Sequence, residues 1–409
     1  MLMCSLSRRA ALAWWLWAGL AVQPVSAAEP AWATTWAAAP DLAGPELKPQ
    51  TIRQVLRTSA GGSAVRVRLS NLFGTTPLTI GPVHLALHAA GAAVQPGTDR
   101  RLSFGGQPTV TIAPGASVRS DAVPMTVAPL QDLALSLYLP QGSGASTVHS
   151  NGLQTVYLVE GGDTTAAPTL PAGTTDDSRY FVTDVEVAAG ASARTLVVLG
   201  DSLTDGIGST PDHPARWSDA LAERLQADPA LASIGVANKG IAGNRILRDG
   251  TDPFIGPSTL ARLERDVLSQ PGLGWVLLLQ GVNDITASDM LPAPQEQASA
   301  EQIIDGMRAV IARAHAGGAQ VWGGTLMPRT GAEGRWAQTP TAEAKRQAVN
   351  RWIRGSKAFD AVVDFDLAVR DPAQPDRLRP DFDSGDHTHP NDAGYRAMAA
   401  AVDLGLLKH

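Results

Sequence analysis

Two spacings of apolar residues divide the chain. Over residues 32–189 apolar positions recur every second residue. Val65-Arg66-Val67-Arg68-Leu69-Ser70 and Leu133-Ala134-Leu135-Ser136-Leu137-Tyr138-Leu139 alternate large apolar side chains with smaller or polar ones, as half-buried strands do. Similar short stretches lie around 108–112, 155–159 and 181–187, punctuated by Gly61-Gly62, Gly105-Gly106, Pro114-Gly115 and Gly161-Gly162. Many short strands at this spacing predict an antiparallel sandwich or jelly roll. No segment there has a helical period, and no internal repeat stands out.

The pattern changes at Arg194. Thr195-Leu196-Val197-Val198-Leu199 is a continuous apolar run ending in Gly200, the mark of a strand buried on both faces. Trp217, Leu221 and Leu225 then share one helical face. Trp275-Val276-Leu277-Leu278-Leu279 reads as a second buried strand, and Ile303, Met307, Val310 and Ala314 as a further helical stripe. Gln320-Val321-Trp322 and Ala361-Val362-Val363-Asp364-Phe365 read as strands, with a helix carrying Val349 and Trp352 between them. Such alternation predicts a parallel sheet covered by helices on both faces. A long loop is expected over 163–177 and the linker over 188–193. A β-sandwich domain at 30–189 and an α/β domain at 194–409 follow, two domains being the ordinary expectation for 409 residues.

Residues 1–28 read as a leader rather than fold. Arg8 and Arg9 precede an apolar stretch over 10–22, and Val25-Ser26-Ala27 supplies the small residues of a cleavage site. That stretch is too short for the ~20 residues that span a bilayer. A periplasmic or secreted location is therefore expected, with Ser7-Arg8-Arg9-Ala10-Ala11-Leu12 resembling a twin-arginine signal. The single cysteine, Cys4, falls inside this leader, so the mature chain would hold no disulfide and no thiol metal ligand. A net charge of −6 without any block of Lys/Arg excludes a nucleic-acid footprint.

Candidate chemistry begins at Gly200-Asp201-Ser202-Leu203-Thr204-Asp205-Gly206, where Ser202 stands at the carboxyl end of a buried strand, the usual place for a site in an open α/β sheet. Alone, this could equally be a turn serine capping the next helix. Asp386-His387-Thr388-His389-Pro390-Asn391 offers a base and a carboxylate with two residues between them, which one loop can bring together. A solvated acidic loop, or a metal held by Asp386, His387 and His389, are the competing readings. No further His or Cys cluster completes a metal site. Gly281-Val282-Asn283-Asp284 and Gly240-Ile241-Ala242-Gly243-Asn244 follow apolar stretches and could present donors to an oxyanion, though each is also an ordinary turn. His84 and His88 read as a sheet-face pair. The absence of Gly-x-Ser-x-Gly, His-Glu-x-x-His and phosphate-binding glycine motifs disfavours the other common enzyme templates.

Taken in order, Gly-Asp-Ser, a glycine loop, Gly-x-Asn-Asp and Asp-x-x-His resemble the conserved blocks of the SGNH/GDSL hydrolase superfamily, over about half the chain. The resemblance implies a flavodoxin-like three-layer α/β/α fold. It implies Ser202 as nucleophile, His389 and Asp386 as its partners, and Ser202, Gly243 and Asn283 as the oxyanion hole. Gly240 is a near neighbour of Gly243 in the same loop, and His387 competes with His389 until the Asp-x-x-His spacing decides. No cofactor and no metal are implied. The expected substrate is a small-molecule or polysaccharide ester, short acyl esters on carbohydrate first. A broad lipase or arylesterase is the alternative, and an inactive carbohydrate-binding surface protein is the alternative from another class. The stretch 286–300, with Met290, Leu291, Pro292 and Pro294, reads either as a flap over the acyl site or as interface packing. The sequence sets no oligomeric state.

Overall fold

Val65, Val67 and Leu69 on one strand and Leu133, Leu135, Leu137 and Leu139 on another meet in a single core, and their alternation explains the first half of the chain. The structure, a computed structural model, describes Met1 and residues 31–291 and 293–408. Beyond Met1 the expected leader, and Pro292, lie outside the described residues. Eight strands matter here: β1 (Trp32–Ala37), β2 (Gln50–Arg57), β3 (Gly62–Ser70), β4 (Val83–Leu87), β5 (Asp132–Leu139), β6 (Ala145–His149), β7 (Val156–Glu160) and β8 (Val182–Ala188). One antiparallel sheet runs β1-β8-β3 and continues into Val123–Val127. Another contains β7-β2-β5-β4. Both contribute to the one core.

Strand β5 departs from its simple alternation. Ala134 and Ser136, expected on a wet face, are buried as well. Arg53 of β2 lies over them, its guanidinium donating to Ser136 Oγ at 2.7 Å and to the carbonyls of Ala92, Thr165 and Ala167. Segments 89–95 and 163–170 thus cover this face, and the buried cation is satisfied by neutral acceptors.

The second half contains five parallel strands: β9 (Arg194–Gly200), β10 (Ile234–Gly240), β11 (Leu273–Leu279), β12 (Gln320–Gly324) and β13 (Ala361–Val363), in the spatial order β10-β9-β11-β12-β13. The helices used below are α1 (Ser202–Asp205), α2 (Trp217–Gln226), α3 (Val282–Met290), α4 (Ala300–Ala316), α5 (Pro340–Gly355), α6 (Phe365–Val369) and α7 (Asp392–Ala400). Successive residues of β9 go to opposite faces. Leu196 and Val198 pack with Trp217 and Leu221 of α2 and Met398 of α7, while Val197 and Leu199 pack with Ile303 and Met307 of α4 and Val349 of α5. Three layers result, as a strand apolar on both faces demands. The order, second-first-third-fourth-fifth, is that of flavodoxin-like sheets, whose connections diverge between the first and third strands.

Phe365 is not in a strand as its apolar neighbours suggested. The Asp364 carboxylate accepts from Leu367 N–H at 3.1 Å, capping α6, and Phe365 opens that helix with its ring against Trp217. The two halves of the chain meet over buried polar contacts. Thr34 N–H donates to Thr195 Oγ1 at 2.9 Å, and Lys239 Nζ of β10 donates to Asp184 Oδ1 of β8 at 2.7 Å. At Gly235 the backbone of Thr34 comes so close that any Cβ would lie 2.1 Å from its carbonyl oxygen. No described helix is long and apolar enough to cross a membrane.

Candidate active site

The connections diverge between β9 and β11, leaving a crevice beyond their carboxyl ends. Ser202 follows β9 directly as the first residue of α1, whose N-cap Asp201 accepts from Leu203 N–H at 3.2 Å. Gly200, the last residue of β9, is required by its surroundings. A Cβ there would meet Leu279 O of the neighbouring strand at 2.5 Å and Thr204 Oγ1 at 2.3 Å. Close packing of strand ends, rather than an unusual backbone angle, requires the glycine.

Asp386 and His389 reach the same place from the loop before α7. His389 Nε2 lies 2.8 Å from Ser202 Oγ, and its Nδ1 lies 2.5 Å from Asp386 Oδ2. Asp386 is held in turn. Its Oδ1 accepts from the N–H groups of Thr388 at 2.9 Å and His389 at 2.8 Å. Burial alone would raise the Asp386 carboxyl, but the His389 ring and these N–H groups outweigh it and hold it well below the usual carboxylate range. His387 turns away, its Nδ1 2.5 Å from Asp383 Oδ2, so each histidine pairs with a different carboxylate. Asn391 locks the loop by donating to the carbonyls of Asp381 and Asp383, while its Oδ1 caps α7.

Gly243 and Asn283 line the same cleft as Ser202. Gly243 has φ +71, a left-handed conformation that glycine adopts without strain. Asn283 stands in the first turn of α3, and its Nδ2 donates to Asn244 O at 3.0 Å. The N–H groups of Ser202 and Gly243 make no hydrogen bond among the described residues. The loop bearing Gly243 is pinned from several directions. Asp205 Oδ2 takes Ala242 N–H at 2.9 Å, Asp284 takes the N–H groups of Ile246 and Leu247, and Asn244 Oδ1 receives Gln280 Nε2. Gly240 is a different case. It pairs with Gly200 at the end of β10, where a Cβ would strike Asp205 N, and does not line the cleft.

The cleft has a volume of about 670 Å³. One wall is apolar (Pro253, Ile255, Val282, Met327), and the rim carries Asn151, Glu333, His387 and Thr388. Trp336 projects from the segment after β12, packed edge-on against Phe254 at 6.0 Å and with its carbonyl held by Arg329. Sequence reasoning did not single out this segment, although Pro328, Gly331 and Gly334 around an isolated Trp were a visible loop signal. None of the described residues of 286–300 lines the cleft; α3 occupies most of the first half of that stretch and Ser299 caps α4. Asn151 was out of reach of sequence reasoning because it comes from the β-rich half.

The family described as GDSL-like lipase/acylhydrolase matches residues 198–397. This part of the chain belongs to that family. Among solved structures the GDSL part is similar to a Mycobacterium smegmatis aryl esterase, at 19% identity and TM-score 0.40, over 51% of this chain and 96% of that one. It is similar also to an acetylxylan esterase from Geobacillus stearothermophilus, at 24% identity and TM-score 0.39, over 51% of this chain and 91% of that one. A GDSL-like lipase from Bacteroides thetaiotaomicron aligns at 17% identity and TM-score 0.39, over 53% of this chain and 88% of that one. No curated protein matches the chain.

Proposed function

We propose that the chain is an exported serine ester hydrolase that removes short acyl groups, acetyl foremost, from carbohydrate through an acyl-enzyme. The observation that carries the reading is the unbroken run from Asp386 through His389 to Ser202 at 2.5 and 2.8 Å, opening on the cleft. In the first step Ser202 Oγ attacks the ester carbonyl carbon while His389 Nε2 takes the hydroxyl proton, and Asp386 steadies the resulting imidazolium. The carbonyl oxygen becomes an oxyanion facing the N–H groups of Ser202 and Gly243 and the Asn283 amide. Collapse breaks the bond to the alkoxide, which leaves with the proton from His389. Water, deprotonated by His389, attacks the acyl carbon; collapse breaks the acyl–Oγ bond, His389 returns the proton to Ser202 Oγ, and the free acid leaves.

Carbohydrate is favoured by the mixture at the cleft, which half-buried Trp336 lines together with polar Asn151, Glu333 and Thr388. Sugar rings present both apolar C–H faces and hydroxyls to such a surface. Export rests on the leader pattern of Arg8, Arg9, the apolar stretch 10–22 and Val25-Ser26-Ala27.

The test is an ester panel, acetyl to long-chain p-nitrophenyl esters with acetylated xylan, mannan and pectin, run on the native protein and on Ser202→Ala. Turnover of acetyl esters that vanishes in Ser202→Ala, with the melting temperature retained, is the expected result. Substantial hydrolysis by the variant would sink the nucleophile assignment, and a long-chain optimum would move the substrate to lipids.

A further inference from the structure

His149 closes β6 in the antiparallel half, yet its ring is buried, 6% exposed, against the GDSL half. Its Nε2 lies 3.0 Å from Asp205 Oδ1, and its Nδ1 lies 2.9 Å from Ala39 O with Asp41 Oδ2 at 3.7 Å. Both ring nitrogens therefore face only oxygen acceptors, and both must donate for the contacts to be satisfied. Asp205 is three residues beyond Ser202 and itself buried, and its other oxygen holds Ala242 N–H at 2.9 Å. Ala242 immediately precedes Gly243. A continuous path thus runs from the β-rich half to the residue that would donate to the oxyanion.

We infer that His149 is a positioning residue for ester hydrolysis, a doubly donating imidazole that fixes Asp205 and, through Ala242, aims the Gly243 N–H. This rests on the hydrolase reading given above. Asp41 and Asp205 face the ring directly and favour its cationic form, against Arg57, Arg179 and Arg216, which border the small cavity beside it together with Asp219. Arg216 reinforces the junction by donating to Asp205 O at 2.7 Å and to Gly152 O at 2.6 Å. Burial pushes the imidazole pKa down, but Asp205, Asp41 and the Ala39 carbonyl outweigh burial and leave it raised. Preorganised donors matter because a transition state gains nothing from a donor that must still be aligned. The β-rich half thereby enters the catalytic machinery without touching substrate at this point.

The test is a double-substitution cycle on the full chain, with kcat, KM and melting temperature measured for His149→Phe, Asp205→Ala and both together. His149→Phe should lower kcat by roughly tenfold or more, a fraction of what deleting an oxyanion donor costs, and leave KM within about twofold. In the Asp205→Ala background the same change should alter kcat by less than about twofold, because its route is already broken. His149→Gln, which keeps a donor for Asp205, should retain most of kcat. Should His149→Phe fail to fold, His149→Asn, too short to reach Asp205, replaces it against His149→Gln. Equal losses in both backgrounds, native kcat in His149→Phe, or equal kcat for the Asn and Gln variants would overturn the inference while Ser202-dependent hydrolysis persists. A native protein without esterase activity would overturn the hydrolase reading, and this one with it.

Discussion

Under the proposed function, the Asn283 side chain serves both shape and chemistry. One amide hydrogen is spent on Asn244 O, which ties α3 to the Gly243 loop, and the other remains for an oxyanion in the cleft. Asn283→Ala should therefore lower kcat by roughly 10²–10³-fold with little change in KM, since the oxyanion exists only in the transition state. Steady-state kinetics on p-nitrophenyl acetate decides it, and a loss confined to KM would contradict the role. Asn283 was legible because it sits in Gly-x-Asn-Asp after an apolar strand. The need for Gly200 was not legible, because the close approach of Leu279 O is a property of strand pairing that no local pattern carries.

At the scale of elements, the site depends on how loops are fastened to helices. Asn391 caps α7 through Ala393 and Gly394 N–H groups and also clasps Asp381 O and Asp383 O, so the loop carrying Asp386 and His389 is built onto the helix start. Asn391→Ala should destabilise the protein by about 1–2 kcal/mol, the usual cost of a lost cap, and should lower kcat as His389 loses its fixed approach to Ser202. Thermal unfolding beside steady-state kinetics reads both. A stability loss without a kinetic one would show that the loop holds its shape unaided. Elements such as β9, β11 and α4 were legible because a doubly buried strand and a helical stripe each leave a distinct period. Phe365 was not: the periods of a short strand and of a capped helix start coincide over three residues, and only the bond from Leu367 N–H to Asp364 separates them. The segment 327–336 escaped for a related reason. It has no period at all, and its place at the cleft follows from Arg329 holding Trp336 O.

For the whole molecule, the contacts between the halves and the acids under the site lay beyond sequence reasoning, because they join residues far apart in the chain. Asp201 is the most consequential of these acids. Burial pushes its carboxyl from 3.8 up to about 7, helped by nearby Asp284 and opposed by Leu203 N–H and Arg329. Asp284, itself buried, is raised to about 6. The direction of the effect on stability follows from proton counts. Below about pH 4 folded and unfolded chains both hold the Asp201 proton. Between about 4 and 7 the unfolded chain releases it while the folded chain keeps it, so stability falls as pH rises. Above 7 the full cost is present, about 4 kcal/mol for a shift of this order. Asp201→Asn keeps an acceptor for Leu203 N–H and removes the titration. The variant should thus unfold at a similar temperature to the native protein at about pH 4 and several degrees higher at about pH 8. Parallel melting profiles across that range would mean that Asp201 ionises freely in the folded state, and that its neighbours already compensate the buried charge.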